Sequence, residues 1–235
     1  MVRSFELAGF SKLTTEFLYA DNTKSNSFDA YEAYRKFSRI AKGKFIIYCH
    51  QDVLAIDSIN VLDEKINELE EMDPHWAIAG NAGASTFRKY FKYFVNNNNE
   101  HENIGDIPVQ VTSLDENFLV IKRKAGLSTS ADLHGFHFYG TDLCLNADIL
   151  GYNCYVIKYL VKHKSWGNQD EAFRTSQKKF INKYSWAMRT RVIQTTCVRI
   201  VVSGQRTISK IGNMKVTLFL IKEYKKRKDK FTLKW

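Results

Sequence analysis

The sequence predicts an α/β protein with a mostly parallel sheet flanked by helices, followed by a basic C-terminal extension. Three observations carry that reading: short apolar runs alternating with helical periodicity, polar or turn residues straight after each run, and a sharp break in charge near residue 174. The chain has 235 residues, 44% of them hydrophobic and 14% aromatic, with only 2 Pro. That is one packed domain of ordinary size with an appended segment, and it excludes disordered and fibrous classes.

Thr15 to Ala20 is an apolar run of strand character that stops at the turn signal Asp21-Asn22. Asp29 to Ile40 then places Tyr31, Tyr34 and Phe37 on one helical face, and Gly43 is expected to end that helix. Lys44 to Cys49 has the length of a buried strand and closes on His50-Gln51-Asp52; Ile59, Leu62, Ile66 and Leu69 follow at helical spacing within Ser58 to Met72. Trp76 to Ala79 is another short strand, entering Gly80-Asn81-Ala82-Gly83. The segment from Phe87 to Gly105, with four Asn in a row, reads as a polar surface loop. Val109 to Thr112 and Phe118 to Lys122 read as strands on either side of Leu114-Asp115-Glu116. Thr141 and Gly151 suit the start and stop of a helix, and Tyr155 to Ile157 returns as a strand toward His163.

Charge is divided unevenly. Residues 174–235 hold 17 Lys and Arg against two acids, Glu223 and Asp229, a net +15; residues 1–173 hold 18 against 23, a net −5. An acidic body with a basic tail suits a protein lying against a phospholipid surface or nucleic acid. Large apolar residues such as Trp186, Ile193, Ile200 and Phe219 interleave with the cations, which favours a membrane interface. No apolar run reaches the 18 or so residues of a spanning helix. Cys49, Cys144, Cys154 and Cys197 are widely spaced and read as reduced, structural thiols of a cytoplasmic protein. Trp76 and Trp166 read as packing residues.

In an open parallel sheet, ligands bind beyond the carboxyl ends of the strands. Asp21-Asn22, His50-Gln51-Asp52 and the stretch from Gly80 occupy such places. Asp52 is the sharpest candidate, because a carboxylate ending a buried strand is placed to hold a divalent metal bound to a diphosphate.

Several motifs in order resemble family 2-like glycosyltransferases. They are Phe45 to Val53 (FIIYCHQDV), Ser113-Leu114-Asp115-Glu116, Phe136 to Leu145 (FHFYGTDLCL), Gly151-Tyr152 and His163-Lys164-Ser165, within residues 15–185. The resemblance implies the Rossmann-like GT-A fold over residues 1–183, with 184–235 as a basic amphipathic segment. It implies transfer of a sugar from a nucleoside-diphosphate sugar to a hydroxyl of a glycan or lipid-linked acceptor, inverting and metal-dependent, in surface polysaccharide synthesis. Asp21, Asn22, His50, Gln51, Asp52 and Gly80 fall on the donor side, and Asp52 with His163 would hold manganese or magnesium.

The sequence departs from the family at three places. One carboxylate, Asp52, stands where the family carries two Asp separated by one residue. Gly140 occupies the position of the family's catalytic base, which leaves Asp142, Asp115 or Glu116 for that role, Asp142 first. Met1 to Lys12 lacks the family's opening strand and resembles the helix that follows it, so the sheet is expected to be one strand short. The partners expected are a nucleotide sugar, the acceptor and the anionic inner face of a membrane, with no nucleic acid. Two other readings remain: a degenerate relative that binds nucleotide without turnover, and a basic nucleic-acid-binding module.

Overall fold

The computed structural model describes residues 1–25, 27–86, 89–165, 167 and 170–232, and the chain divides into two compact units, Met1–Gln177 and Lys178–Trp235. The first unit opens with a short helix, α1 (Val2–Leu7), whose Phe5 stacks edge-on against Phe10 in the core. Thr15 to Ala20 forms no strand: it runs as irregular chain along the wall of a cleft. Helix α2 (Ala30–Ile40) starts at Asp29, whose carboxylate accepts the Glu32 N–H at 2.8 Å, and buries Tyr31 and Tyr34. It ends at Ile40 with Ala41 in an extended conformation, two residues before Gly43.

The principal sheet has the order β1-β9-β3-β10-β7. Its members are β1 (Phe45–Cys49), β3 (Trp76–Gly80), β7 (Val109–Val111), β9 (Phe118–Lys122) and β10 (Asn153–Val156). The second sheet, in the order β2-β11-β5-β4-β8 with β6 added to β5, is built from β2 (Val53–Ala55), β4 (Ala82–Ala84), β5 (Tyr90–Val95), β6 (His101–Ile104), β8 (Ser113–Leu114) and β11 (Val161–His163). Helix α3 (Ile59–Met72) follows Ser58 and buries Leu62, Ile66 and Leu69, as its periodicity predicts. Helix α4 (Tyr139–Ile149) begins two residues earlier than Thr141, after Phe138 at φ 66°, and is followed by Gly151 at φ 80°.

The sheets are mixed rather than mostly parallel. In the principal sheet β10 runs parallel to β3, while β9 runs antiparallel to both its neighbours and β7 antiparallel to β10. The physical reason lies between β3 and β9: the chain passes through β4 to β8, and no crossover helix intervenes to return β9 in the parallel sense. The segment expected as a loop contains the β5–β6 hairpin, with Lys92 paired to Glu102 at 2.7 Å and Asn96 closing the turn; Phe87, at its start, lies outside the described residues, as does Trp166.

The core gathers around Trp76, Phe118, Val120 and Tyr159, all fully buried. Lys122 is buried against it, its ammonium 2.9 Å from Glu70 and 3.1 Å from the Pro74 carbonyl, over the Trp76 ring at 4.4 Å. No helix among the described residues is long and apolar enough to cross a membrane.

The second unit contains the hairpin of β12 (Arg191–Gln194) and β13 (Arg199–Val202), helix α6 (Arg206–Gly212) and helix α7 (Lys215–Thr232). The division at Gln177 falls inside α5 (Glu171–Ala187). Asn213 clamps β13, donating to the Val201 carbonyl at 2.7 Å and accepting the Val201 N–H at 2.9 Å. Gly212 is required at this approach, since a Cβ there would lie 2.6 Å from the Val201 side chain.

Candidate functional site

Strand pairing brings together two segments far apart in sequence. Strand β1 ends at Cys49, and the His50 N–H donates to the Asn117 carbonyl at 3.1 Å, which fixes the turn below β9. The chain then re-enters as β2, and the antiparallel register Val53↔His163 sets the end of β11 beside that turn. The Lys164 N–H donates to the Asp52 carbonyl at 3.3 Å. Asp57 secures the approach to β11, accepting the Leu160 N–H on its carboxylate at 2.7 Å and the Tyr159 hydroxyl on its carbonyl at 2.9 Å.

One ligand atom each from His50, Asp52 and His163 lies within 4.8 Å of the others. His163 Nε2 is 3.5 Å from Asp52 Oδ1, and the two imidazole rings are 5.6 Å apart. The Ser165 hydroxyl donates to Asp52 Oδ2 and lies 3.4 Å from His163 Nε2. Asp52 Oδ1 is buried and makes no hydrogen bond among the described residues, so the acceptor is turned toward the two imidazoles. Burial pushes the His50 imidazole below its usual pKa, and the neighbouring His163 adds to that. For Asp52, burial alone would raise the carboxyl, but the Ser165 hydroxyl and the His163 and His50 imidazoles hold it below the ordinary range. A carboxylate and an imidazole disposed to be neutral are the forms that bind a cation. The donor set of two nitrogens and one oxygen fits a divalent ion.

Beside this cluster lies a cleft of about 470 Å³. The backbone of β1 forms one wall, residues 14–20 another, and His50, Gln51 and Tyr139 one part of its lining. Antiparallel bonding to β9 engages Lys44 and His50, which places Ile46 and Tyr48 in the same phase and turns the N–H and C=O groups of Phe45, Ile47 and Cys49 to the open edge. An aromatic run supports the floor: Tyr139 lies 5.3 Å from Tyr48 and 6.2 Å from both His50 and Tyr31.

The three carboxylates considered for the base have different surroundings. Asp142 is fully buried, and both its oxygens accept from Ser130, the N–H and the hydroxyl each at 2.7 Å. It ties α4 to the segment before it. Asp115 is exposed and accepts the Asn117 N–H. Glu116 sits against α4, its Oε1 accepting the Gly140 N–H at 3.3 Å and its carbonyl accepting the Tyr139 hydroxyl at 2.9 Å. Burial and then the Asp115 charge push its carboxyl up to about 8. A Cβ on Gly140 would lie 2.7 Å from the Leu114 carbonyl and 3.3 Å from the Glu116 side chain, so Glu116 fills the space beside that helix start.

The remaining candidates are dispersed. Asp21 is exposed and caps its own turn through Thr23. Asn22 lines the cleft, but its amide is engaged with Ser27 and Phe28. Gly80 lies inside the sheet, where a Cβ would be 2.9 Å from the Phe118 carbonyl; its small size serves strand packing. His50, expected on the donor side but not among the metal ligands, stands with Asp52 and His163 in the cluster. Ser165 was named only as part of the motif His163-Lys164-Ser165 and given no role; its signal is the two-residue alternation from His163.

A protein of Fuscovulum blasticum, "ATP synthase subunits region ORF 6", is 33% identical over 213 residues, covering 87% of this chain and 85% of that protein. The chain belongs to that protein's family. The name states no activity. No protein-family model matches the chain. Among solved structures, the "Crystal Structure of A197 from STIV" aligns with a TM-score of 0.32 at 14% identity, spanning 52% of this chain and 58% of that one, a likeness too slight to carry an argument.

Proposed function

We propose that the protein is a glycosyltransferase that moves a sugar from a nucleoside-diphosphate sugar to a hydroxyl of a glycan or lipid-linked acceptor. The observation that carries this reading is the His50–Asp52–His163 cluster beside the cleft under the end of β1. His50, Asp52 and His163 would hold the divalent ion, and two imidazoles with one carboxylate favour manganese over magnesium. When bound, such an ion supplies positive charge that stabilises the departing diphosphate.

Ser165 orients Asp52 by donating to the oxygen that is turned away from His163. Tyr48, half-buried, offers a ring edge on which a sugar or base can rest, and the fully buried Tyr139 packs behind it. In this reading Glu116 is the base that takes the acceptor hydroxyl proton, its proton affinity raised first by burial and then by the Asp115 charge. Asp142 holds the helix that positions Gly140 against Glu116. The GT-A form of the fold, inversion at the anomeric carbon, surface polysaccharide as product and association with the inner face of a membrane through the basic unit belong to the same proposal. Gly140 favours one second reading, a relative that binds nucleotide without turnover.

The test is release of nucleoside diphosphate from a panel of nucleotide sugars, with manganese and simple glycoside acceptors. Release abolished in Asp52→Ala, and reduced on the order of 10²-fold in Glu116→Gln with donor binding retained, is the expected result. Donor binding without release in the unaltered protein selects the second reading.

A further inference from the structure

Helix α7 turns large apolar side chains toward solvent. Val216, Phe219, Leu220 and Tyr224 are 66%, 60%, 60% and 70% exposed. At 100° per residue they fall within an arc of about 140°. Thr217, Leu218 and Ile221 lie on the opposite arc and are half-buried, and the Leu218 carbonyl accepts from Arg199 of β13 at 3.5 Å. The helix therefore already has a packed side, and the exposed stripe is a second apolar face. Lys215, Lys222 and Lys226, all exposed, run along one border of the stripe. Glu223, the one acid between residues 215 and 226, lies on the same arc and is half-buried. The hairpin adds a smaller patch, with Ile193 opposite Ile200, each 38% exposed, and Val202 opposite Arg191.

We infer that α7 is a membrane-interface helix, which lies in the plane of an anionic leaflet with Val216, Phe219, Leu220 and Tyr224 in the acyl boundary and Lys215, Lys222 and Lys226 on the lipid phosphates. The charge of the partner is set by the net +15 of residues 174–235. Its apolar depth is set by the stripe, because a nucleic acid would neutralise the lysines and leave four large apolar side chains in water. This deepens the membrane part of the proposed function by naming the segment and the lipid class; it stands independently of the chemistry assigned to the cleft.

The test is co-sedimentation of the full chain with vesicles of phosphatidylglycerol and phosphatidylcholine, against phosphatidylcholine alone, at low and high salt. Binding to the anionic vesicles, weakened about tenfold by a Phe219→Asn/Leu220→Asn variant and likewise by Lys215→Gln/Lys222→Gln/Lys226→Gln, is the expected result. All these side chains are exposed, and circular dichroism of each variant checks that the fold is kept. Equal binding to both vesicle types, or unaltered binding by the Asn variant, overturns the inference. So does tight binding of a short DNA duplex that the Asn variant leaves unchanged, or a dimer in solution that the Asn variant dissolves while vesicle binding is absent. Vesicle binding in a protein that no nucleotide stabilises would leave this inference standing and remove the donor-site reading.

Discussion

Gly140 and Glu116 pack against each other at the start of α4. A side chain at Gly140 has no room, since its first carbon would press on the Leu114 carbonyl at 2.7 Å. Gly140→Asp, which places there the residue that family 2-like glycosyltransferases carry, is therefore expected to lower stability by about 2 kcal/mol, read from denaturant unfolding. Glu116 carries the titration. With its carboxyl raised to about 8 by burial and by Asp115, it is neutral in the folded protein over a range where the unfolded chain ionises it. The folded state thus holds more protons than the unfolded state between the ordinary carboxylate range and about 8, and stability falls as pH rises through that window. Glu116→Gln removes this fall, so its melting temperature gains on the parent as pH goes from 5 to 8.5. A flat difference across that range would show that the carboxyl is not held neutral. In activity the sign reverses: a base must be ionised, so turnover climbs with pH toward 8 and beyond.

At the scale of elements, the site depends on β2 pairing with β11, and Asp57 holds the turn before that pairing. Asp57→Ala leaves the Leu160 N–H without its carboxylate partner at 2.7 Å. A loss of about 1 to 2 kcal/mol in urea unfolding is expected, together with weaker metal binding through displaced His163. Much of the element pattern was legible: α2, α3, β3 and β9 lie where apolar periodicity puts them, because each buries one continuous apolar face or run, and β1 lies where its run puts it although its five residues are half-buried at the sheet edge. Strand direction was not legible. A run such as Phe118 to Lys122 has the same apolar pattern whether it pairs parallel or antiparallel, and the antiparallel course follows from the chain between β3 and β9. The β5–β6 hairpin was hidden by its Asn-rich turn, which looks polar throughout although Asn96 is buried and closes the hairpin. Thr15 to Ala20 has strand composition but pairs with no strand among the described residues.

At the scale of the whole molecule, the sequence separates an acidic body from a basic tail, and the structure divides the chain at Gln177, inside α5. His50, Asp52 and His163 were singled out because each ends or follows an apolar strand, and the pairing of β2 with β11 brings them together. Asp142, the first-named base candidate, is engaged with Ser130; a carboxylate near a helix start has the same sequence pattern whether it faces a ligand or fastens a loop.

If His50, Asp52 and His163 form the metal-dependent nucleotide site proposed above, nucleotide binds only together with the metal. The most direct measurement is the thermal stability of the full chain with each nucleoside diphosphate, with and without manganese, beside Asp52→Ala. Stabilisation by one nucleotide that requires manganese and disappears in Asp52→Ala is the expected result. A folded protein that no nucleotide stabilises in the presence of manganese, or a variant stabilised as much as the parent, would contradict it.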